Sequence, residues 1–305
     1  MTYDISFVIP AFNEEGYIEN AIESIERYVA DVSYEIIVVD NGSNDGTGEE
    51  ALARGAKVYS IDKATVAFAR NYGAERACSQ VIAFIDADIR LTKQWAAELS
   101  KQLECLKVQR MFTGARCSIP ENPSWIEKNW FAPLAAKEVS YINSANLIVN
   151  KAAFLDVGSF HSILATGEDY ELSMRAKEKG VSVLLNPGFE AIHDGFPKNL
   201  KNFFFREMWH GRGDFQSWRS FFTSHVAVAA VIIGVVQIFS IVFLLLGLSS
   251  VAVLLLMFLF SLALMASIKL FSRSGMRFVF YNIPLCYVYF TARFFSLVNE
   301  LKISR

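Results

Sequence analysis

Three apolar runs near the start of this 305-residue chain each stop at acidic or amide side chains: Ile5–Pro10 at Asn13-Glu14-Glu15, Glu35–Val39 at Asp40-Asn41, and Val81–Ile85 at Asp86-Ala87-Asp88. Carboxylates gathered in one crevice repel one another unless a cation lies among them. The chemistry they fit is a metal-assisted site for an anionic ligand such as a nucleotide diphosphate, because hard cations take oxygen ligands and share them with phosphates.

The segments between the runs must be helices that return the chain to the other end of a parallel sheet. Ile18, Ile22, Ile25 and Val29 recur at helical spacing with Glu15, Glu19, Glu23 and Glu26 between them, the pattern of an amphipathic crossover helix. Asn41-Gly42-Ser43-Asn44-Asp45-Gly46-Thr47 is a turn cluster leading into a short helix. Further helices are predicted over 64–78, 93–107 and 168–180, and further strands over 110–116, 145–149, 181–185 and 190–193. In open α/β sheets ligands bind beyond the carboxyl ends of the strands, which is where these acidic residues fall.

Lysine and arginine number 29 against 31 aspartates and glutamates, a formal charge of −2, so no basic excess points to nucleic acid as a partner. The four cysteines, Cys78, Cys105, Cys117 and Cys286, have neither metal-ligand spacing nor a disulfide framework and read as apolar fillers in a reducing compartment. Mean hydropathy is +0.29, and the apolar excess is concentrated in Val226–Ile268, which holds no charged residue. One spanning helix needs about 20 apolar residues, so two are expected, at about 226–247 and 250–270, with a turn at Gly247-Leu248-Ser249-Ser250.

Residues 198–219 mix Lys198, Lys201, Arg206, Arg212 and Arg219 with Phe203, Phe204, Phe205, Trp209, Phe215 and Trp218. Aromatics favour the headgroup level and basic residues the cytosolic side, and Lys269, Arg273 and Arg277 place the exit of the hairpin on that same side. No signal peptide is read at the N-terminus. The expected arrangement is a cytosolic domain over residues 1–220 and a membrane domain over 221–305 of a cell (inner or plasma) membrane protein. The apolar segment 278–298 reads either as a third span or as an interfacial or re-entrant helix. Arg293 at mid-bilayer would cost about 2.5–3.5 kcal/mol, which favours the second.

Four motifs then line up in order: VIPAFNEE (8–15), IIVVDNGSNDGT (36–47), ARNYGAERA (69–77) followed by VIAFIDADI (81–89), and ATGEDYELSMRAKEKG (165–180). Together they resemble the inverting, nucleotide-sugar-dependent members of glycosyltransferase family 2, over roughly residues 4–215. The resemblance implies an α/β fold of the GT-A type, a Rossmann-like mixed sheet, followed here by the transmembrane hairpin. It implies that Pro10, Ala11, Phe12 and Glu14 sit against the nucleoside, and that Asp40 bonds its base or ribose. Capping of the DNGSNDGT turn is the other reading of Asp40.

Asp86, Ala87 and Asp88 resemble the family's Asp-x-Asp motif, with Asp88 the main ligand of Mn²⁺ or Mg²⁺ and Asp86 on the ribose or a second metal contact. The resemblance puts Arg70 on the nucleotide, Lys63 being a weaker candidate of the same kind, and brings His193 into the metal shell. Asp169 becomes the general base that takes a proton from the acceptor hydroxyl; with an ordinary pKa of about 4 it is ionised at neutral pH. Glu168 orients it or binds acceptor, and Thr166-Gly167-Glu168-Asp169 also fits an N-terminal helix cap. Arg206 and Arg212 read either as contacts to the diphosphate or an acceptor phosphate, or as lipid-facing charges.

The processive synthases of the family carry Gln-x-x-Arg-Trp; the nearest string here, Gln216-Ser217-Trp218-Arg219, has another order, so one sugar per encounter is expected. The expected activity is metal-dependent transfer from a nucleotide sugar to a membrane-associated acceptor, a lipid-linked glycan of cell-envelope or exopolysaccharide synthesis. A polyprenyl-phosphate glycosyl synthase is the alternative, although AFARNYG stands where those enzymes have a glycine-rich stretch. A non-catalytic membrane subunit is the remote one.

Overall fold

The computed structural model describes residues 3–137, 139–215 and 218–303. The chain forms two compact units, one of residues 1–120 and 138–195, the other of residues 121–137 and 196–305. The second unit thus takes residues 121–137 from between the two stretches of the first, and resumes at Phe196.

In the first unit the strands are β1 (Ile5–Ala11), β2 (Tyr34–Asp40), β3 (Lys57–Ser60), β4 (Val81–Ile85), β5 (Ile89–Leu91), β6 (Met111–Gly114), β7 (Asn146–Asn150), β8 (Ser182–Leu185) and β9 (Ala191–His193). Seven build one sheet in the order β3-β2-β1-β4-β7-β6-β8, and β5 pairs with β9 in a small second sheet. β1 to β4 are mutually parallel, as the crossover pattern requires. β7 runs antiparallel to both β4 and β6, so the sheet is mixed.

Every residue of β1 is buried, because helices cover both faces of the sheet. One face packs Phe7 and Ile9 against Ile18, Ile22 and Ile25 of α1 (Ile18–Tyr28) and Trp95 and Leu99 of α4 (Lys93–Val108). The other packs Val8, Ile37 and Phe84 against α3 (Val66–Arg76), α6 (Lys151–Asp156) and α7 (Glu168–Glu178). Gly73 of α3 allows the closest approach: a Cβ there would lie 2.5 Å from Val8 Cγ1 and 3.2 Å from Val39 Cγ2. The short α2 (Thr47–Ala53) follows the second turn cluster.

The second unit begins in chain order with a π-turn, Glu127–Phe131, continued by α5 (Ala132–Ala135). It resumes with α8 (Leu200–His210), α9 (Arg212–Phe215), α10 (Trp218–Thr223), α11 (His225–Leu245), α12 (Ser249–Phe271) and α13 (Met276–Ile303). α11 and the helical stretch Ser249–Ser274 are long and apolar enough to cross a membrane. Gly247, at φ 76°, makes the turn between them, where an L side chain would be strained.

Trp130 anchors the inserted piece, with ring centroids 5.1 Å from Phe203, 5.3 Å from Phe271 and 5.4 Å from Tyr289. Asn282 of α13 donates to the Asn129 carbonyl at 2.7 Å. Arg293 of α13 is buried in ion pairs with Glu207 (3.1 Å) and Asp214 (3.0 Å). Arg206 also pairs with Glu207 and lies over the Phe131 ring. No contact of Arg206 with phosphate is needed to balance its charge.

Candidate active site

Side chains knit the exits of β1 and β2 together. Asn13 adopts φ 55° and its Oδ1 accepts from the Asn44 amide, while the Asn13 amide donates to Ser43 Oγ. The Glu14 amide donates to Thr47 Oγ1 at 2.8 Å, and Gly16 to Glu50 Oε2 at 2.8 Å. The turn-rich segment DNGSNDGT thus serves as a brace that fixes Phe12 and Glu14 at the strand end. Asp40 performs the turn role directly, its Oδ1 accepting from the Ser43 amide at 3.0 Å. Asn41 clamps the backbone of Ala64 through both its amide atoms, and Lys63 lies with its Nζ 3.9 Å from the centre of the Phe12 ring.

Beyond β4, Asp86 and Asp88 leave the strand end as expected. The β5–β9 pairing, with Ile89 opposite His193, carries His193 beside Asp88, and the Asp88 Oδ2 to His193 Nδ1 distance is 3.4 Å. Arg90 and Asp194 form a two-bond ion pair across the same ladder. Gly195 leaves room for Asp88: a Cβ at that position would collide with its carboxylate. Among the described residues no three His, Cys, Asp or Glu side chains converge closely enough to hold a metal ion alone. Asp88 and His193 are together, whereas Asp86 is turned to Arg70.

Arg70 faces two carboxylates. It is buried, 3% exposed, with Nη2 2.6 Å from Asp86 and Nη1 2.8 Å from Glu168. Its Nε is buried without a hydrogen-bond partner. The neighbouring Asn71 holds the backbone of Phe160 through two hydrogen bonds, 2.8 and 3.0 Å. The ARN triplet therefore ties the strand-end carboxylates to the segment that carries Glu168 and Asp169.

α7 starts differently from the capping pattern read in the sequence. Its N-cap is Gly167, at φ 81°, a residue with no side chain to supply a capping oxygen. The turn leaves Glu168 buried on Arg70 and Ser144 (3.2 Å) and Asp169 at the helix start, hydrogen-bonded by the Tyr170 amide at 2.7 Å. Burial, followed by the Glu168 charge, pushes the Asp169 carboxyl up to about 6, above the ordinary value expected for it. Burial and the charges of Asp88, Asp86 and Asp45 push Glu14 up to about 8. The crowding of carboxyls that raises Glu14 fits a cation binding beside Asp88, with the donor's phosphates supplying the other ligands.

Family models carry the comparison further. The model described as Glycosyl transferase family 2 matches residues 6–138, and that described as Glycosyl transferase family group 2 matches residues 124–297. The chain belongs to the family 2 glycosyltransferases. The transferase is 28% identical over 228 residues to glycosyltransferase AglE of Haloferax volcanii, a match covering 70% of this chain and 74% of the other. It is 36% identical to 4,4'-diaponeurosporenoate glycosyltransferase of Staphylococcus haemolyticus, over 32% of this chain and 27% of that protein. Among solved structures, mannosyltransferase PcManGT of Pyrobaculum calidifontis, in complex with GDP-Man and Mn²⁺, aligns with TM-score 0.60 at 13% identity over 98% of this chain and 88% of that one. GalNAc-T7 with UDP, GalNAc and Mn²⁺ aligns with TM-score 0.51 at 18% identity, over 75% of this chain and 50% of that one. At these identities the likeness is one of fold, and the fold is GT-A.

Three groups at the transferase's site escaped the sequence reading. Asn146 accepts from Trp95 Nε1 and donates to the carbonyls of Ala115 and Phe189, fixing the chain just past β6. Arg116 follows at once, and Tyr141, before β7, sets its ring 5.7 Å from that of Tyr170, the residue after Asp169. Arg116 follows the same pattern as Asp86, a charged residue just past the end of an apolar strand.

Proposed function

We propose that the transferase moves one sugar from a nucleotide-diphosphate sugar to a membrane-associated acceptor, by a single displacement that inverts the anomeric centre. The observation that carries this reading is Asp169: a carboxylate at the helix start, joined through Glu168 and Arg70 to Asp86 at the strand end. Phe12, Asp40 and Glu14, with Pro10 and Ala11 in the β1 backbone, hold the nucleoside side. Asp169 takes the acceptor proton. A divalent cation on Asp88 and His193, Mn²⁺ or Mg²⁺, would neutralise the diphosphate as it leaves. The solved relatives bound to GDP-Man or UDP with Mn²⁺ support the donor class and the metal. Calorimetry on the full-length protein tests it: a nucleoside diphosphate should bind with Mn²⁺ present, and Asp88→Asn should weaken that binding at least about tenfold. Equal affinity with and without metal, in both proteins, would sink the metal assignment.

The hairpin α11–α12 supports a membrane location; the basic residues flanking it, Lys198 to Arg219 and Lys269 to Arg277, favour the cytosolic face for its two ends, and with it a lipid-borne acceptor such as a lipid-linked glycan. α13 we read as interfacial. Its start is bonded to the end of α12, Ser267 Oγ donating to the Val279 carbonyl at 2.6 Å. Its Arg293 reaches Asp214, which accepts from Ser224, the N-cap of α11. Both attachments lie at the same end of the hairpin. A cysteine appended to the C-terminus should label with an impermeant maleimide only in inside-out vesicles, together with the exposed Cys78. Labelling in right-side-out vesicles would establish a third span.

A further inference from the structure

Arg116 differs from Arg70, Arg90 and Arg293 in having no ion pair among the described residues. It is half-buried, and its backbone is pinned on both sides. The Ala115 carbonyl accepts from Asn146 and the Ser118 amide donates to the Ala191 carbonyl at 2.8 Å. Its charge acts on Cys117, which the Asp86 and Asp88 charges also reach, and on Tyr141, which the Asp169 and Glu168 charges also reach. An arginine whose charge acts on both Cys117 and Tyr141, and which no carboxylate neutralises in an ion pair among the described residues, is poised to receive an anion.

Beside it stands an aromatic pair. Tyr141 and Tyr170 meet edge to face, ring centroids 5.7 Å apart and planes at 81°. Tyr170 is 52% exposed, and its amide bonds the proposed base Asp169. Aromatic faces offer apolar area at low entropic cost, with a polar hydroxyl at the edge, which suits the C–H face of a sugar ring.

We propose that Arg116, Tyr141 and Tyr170 form an acceptor subsite for a sugar carrying an anionic substituent, a carboxylate or a phosphate. Tyr170 and Tyr141 cover the ring, Arg116 pairs with the anion, and the reacting hydroxyl is thereby presented to Asp169. The assignment rests on the transferase reading and narrows it: the acceptor's terminal sugar, or the group next to it, is charged.

Saturation-transfer NMR on the full-length protein in detergent tests this with methyl glucuronide, glucose 1-phosphate and methyl glucoside as probes. Binding of a nucleoside diphosphate with Mn²⁺ is measured in parallel. Both anionic probes should bind at least about tenfold better than methyl glucoside, the scale of a charge-assisted hydrogen bond. Arg116→Ala should erase that preference, and Tyr170→Ala should weaken all three probes, with nucleotide affinity and melting temperature unchanged in both. No preference for the anionic probes in the wild-type protein would overturn the subsite. So would a tenfold loss of nucleotide affinity in Arg116→Ala, which would assign this arginine to the donor. Absence of nucleotide binding in the wild-type protein would instead strike the transferase reading, and the probe preference would still decide the subsite by itself.

Discussion

Asp169→Asn is expected to lower kcat by about 10²–10⁴-fold, the usual contribution of a positioned base, while donor KM changes less than about threefold. The amide fills the same volume and keeps the contact with the Tyr170 amide, but it cannot take a proton. In the wild-type enzyme kcat/KM should rise with pH through about 6, where burial and Glu168 place this carboxyl. The raised pKa has a stability consequence of opposite sign. The folded protein retains a proton on Asp169 that the unfolded chain releases near pH 4, so stability falls as pH rises from about 4 through about 6. The loss between those limits is about 1–3 kcal/mol. Asp169→Asn should therefore be the more stable protein at pH 7 and the less active one. Urea denaturation at pH 4 and pH 7 alongside the rate measurement checks both halves; a variant that is inactive and also less stable at pH 7 would mean the residue supports structure.

Arg70→Met is expected to do the most structural damage of any single change at the site. It removes the cation between Asp86 and Glu168, and Glu168 is only 9% exposed. Breaking a buried ion pair costs about 3–5 kcal/mol; because Asp86 is 30% exposed and keeps some hydration, about 2–4 is the expected loss. Arg70→Lys retains the charge and loses the two-pronged geometry, so it should be less destabilised yet still impaired in kcat, since Asp86 and Glu168 can no longer be held together. Denaturation midpoints, kcat and nucleotide affinity for both variants separate the effects. A fully stable, fully active Arg70→Met would remove the proposed coupling between the two halves of the site.

The parallel half of the sheet and the edge where chemistry gathers were readable because apolar runs ending in Asp or Asn have one stable arrangement, strands buried on both faces with polar ends at the opening. The antiparallel β7 was not readable as such: ANLIV has no local feature that sets its direction, which comes from pairing with β4 and β6. His193 comes beside Asp88 through the β5–β9 ladder, three-residue strands too short for a periodic signal. The partners of Arg70 were not readable, because a sequence shows a fork but not the two carboxylates that close on it. The segment 121–137 lies between β6 and β7 and carries no periodic signal of its own. Its joining the second unit depends on Trp130 meeting Phe203, Phe271 and Tyr289, residues 73 to 159 positions away. Arg293, costly in a bilayer by itself, is matched by Glu207 and Asp214, a compensation that hydropathy does not register.

Turnover remains the direct test. Purified, detergent-solubilised enzyme would be offered a panel of nucleotide sugars with Mn²⁺ or Mg²⁺ and membrane lipid extract, and release of nucleoside diphosphate followed, with Asp169→Asn beside it. Release from one donor that requires both lipid and Asp169 is the predicted result. Release that is indifferent to lipid and undiminished in Asp169→Asn, or metal-dependent nucleotide binding with no release from any donor, would contradict transfer to a membrane acceptor by this site.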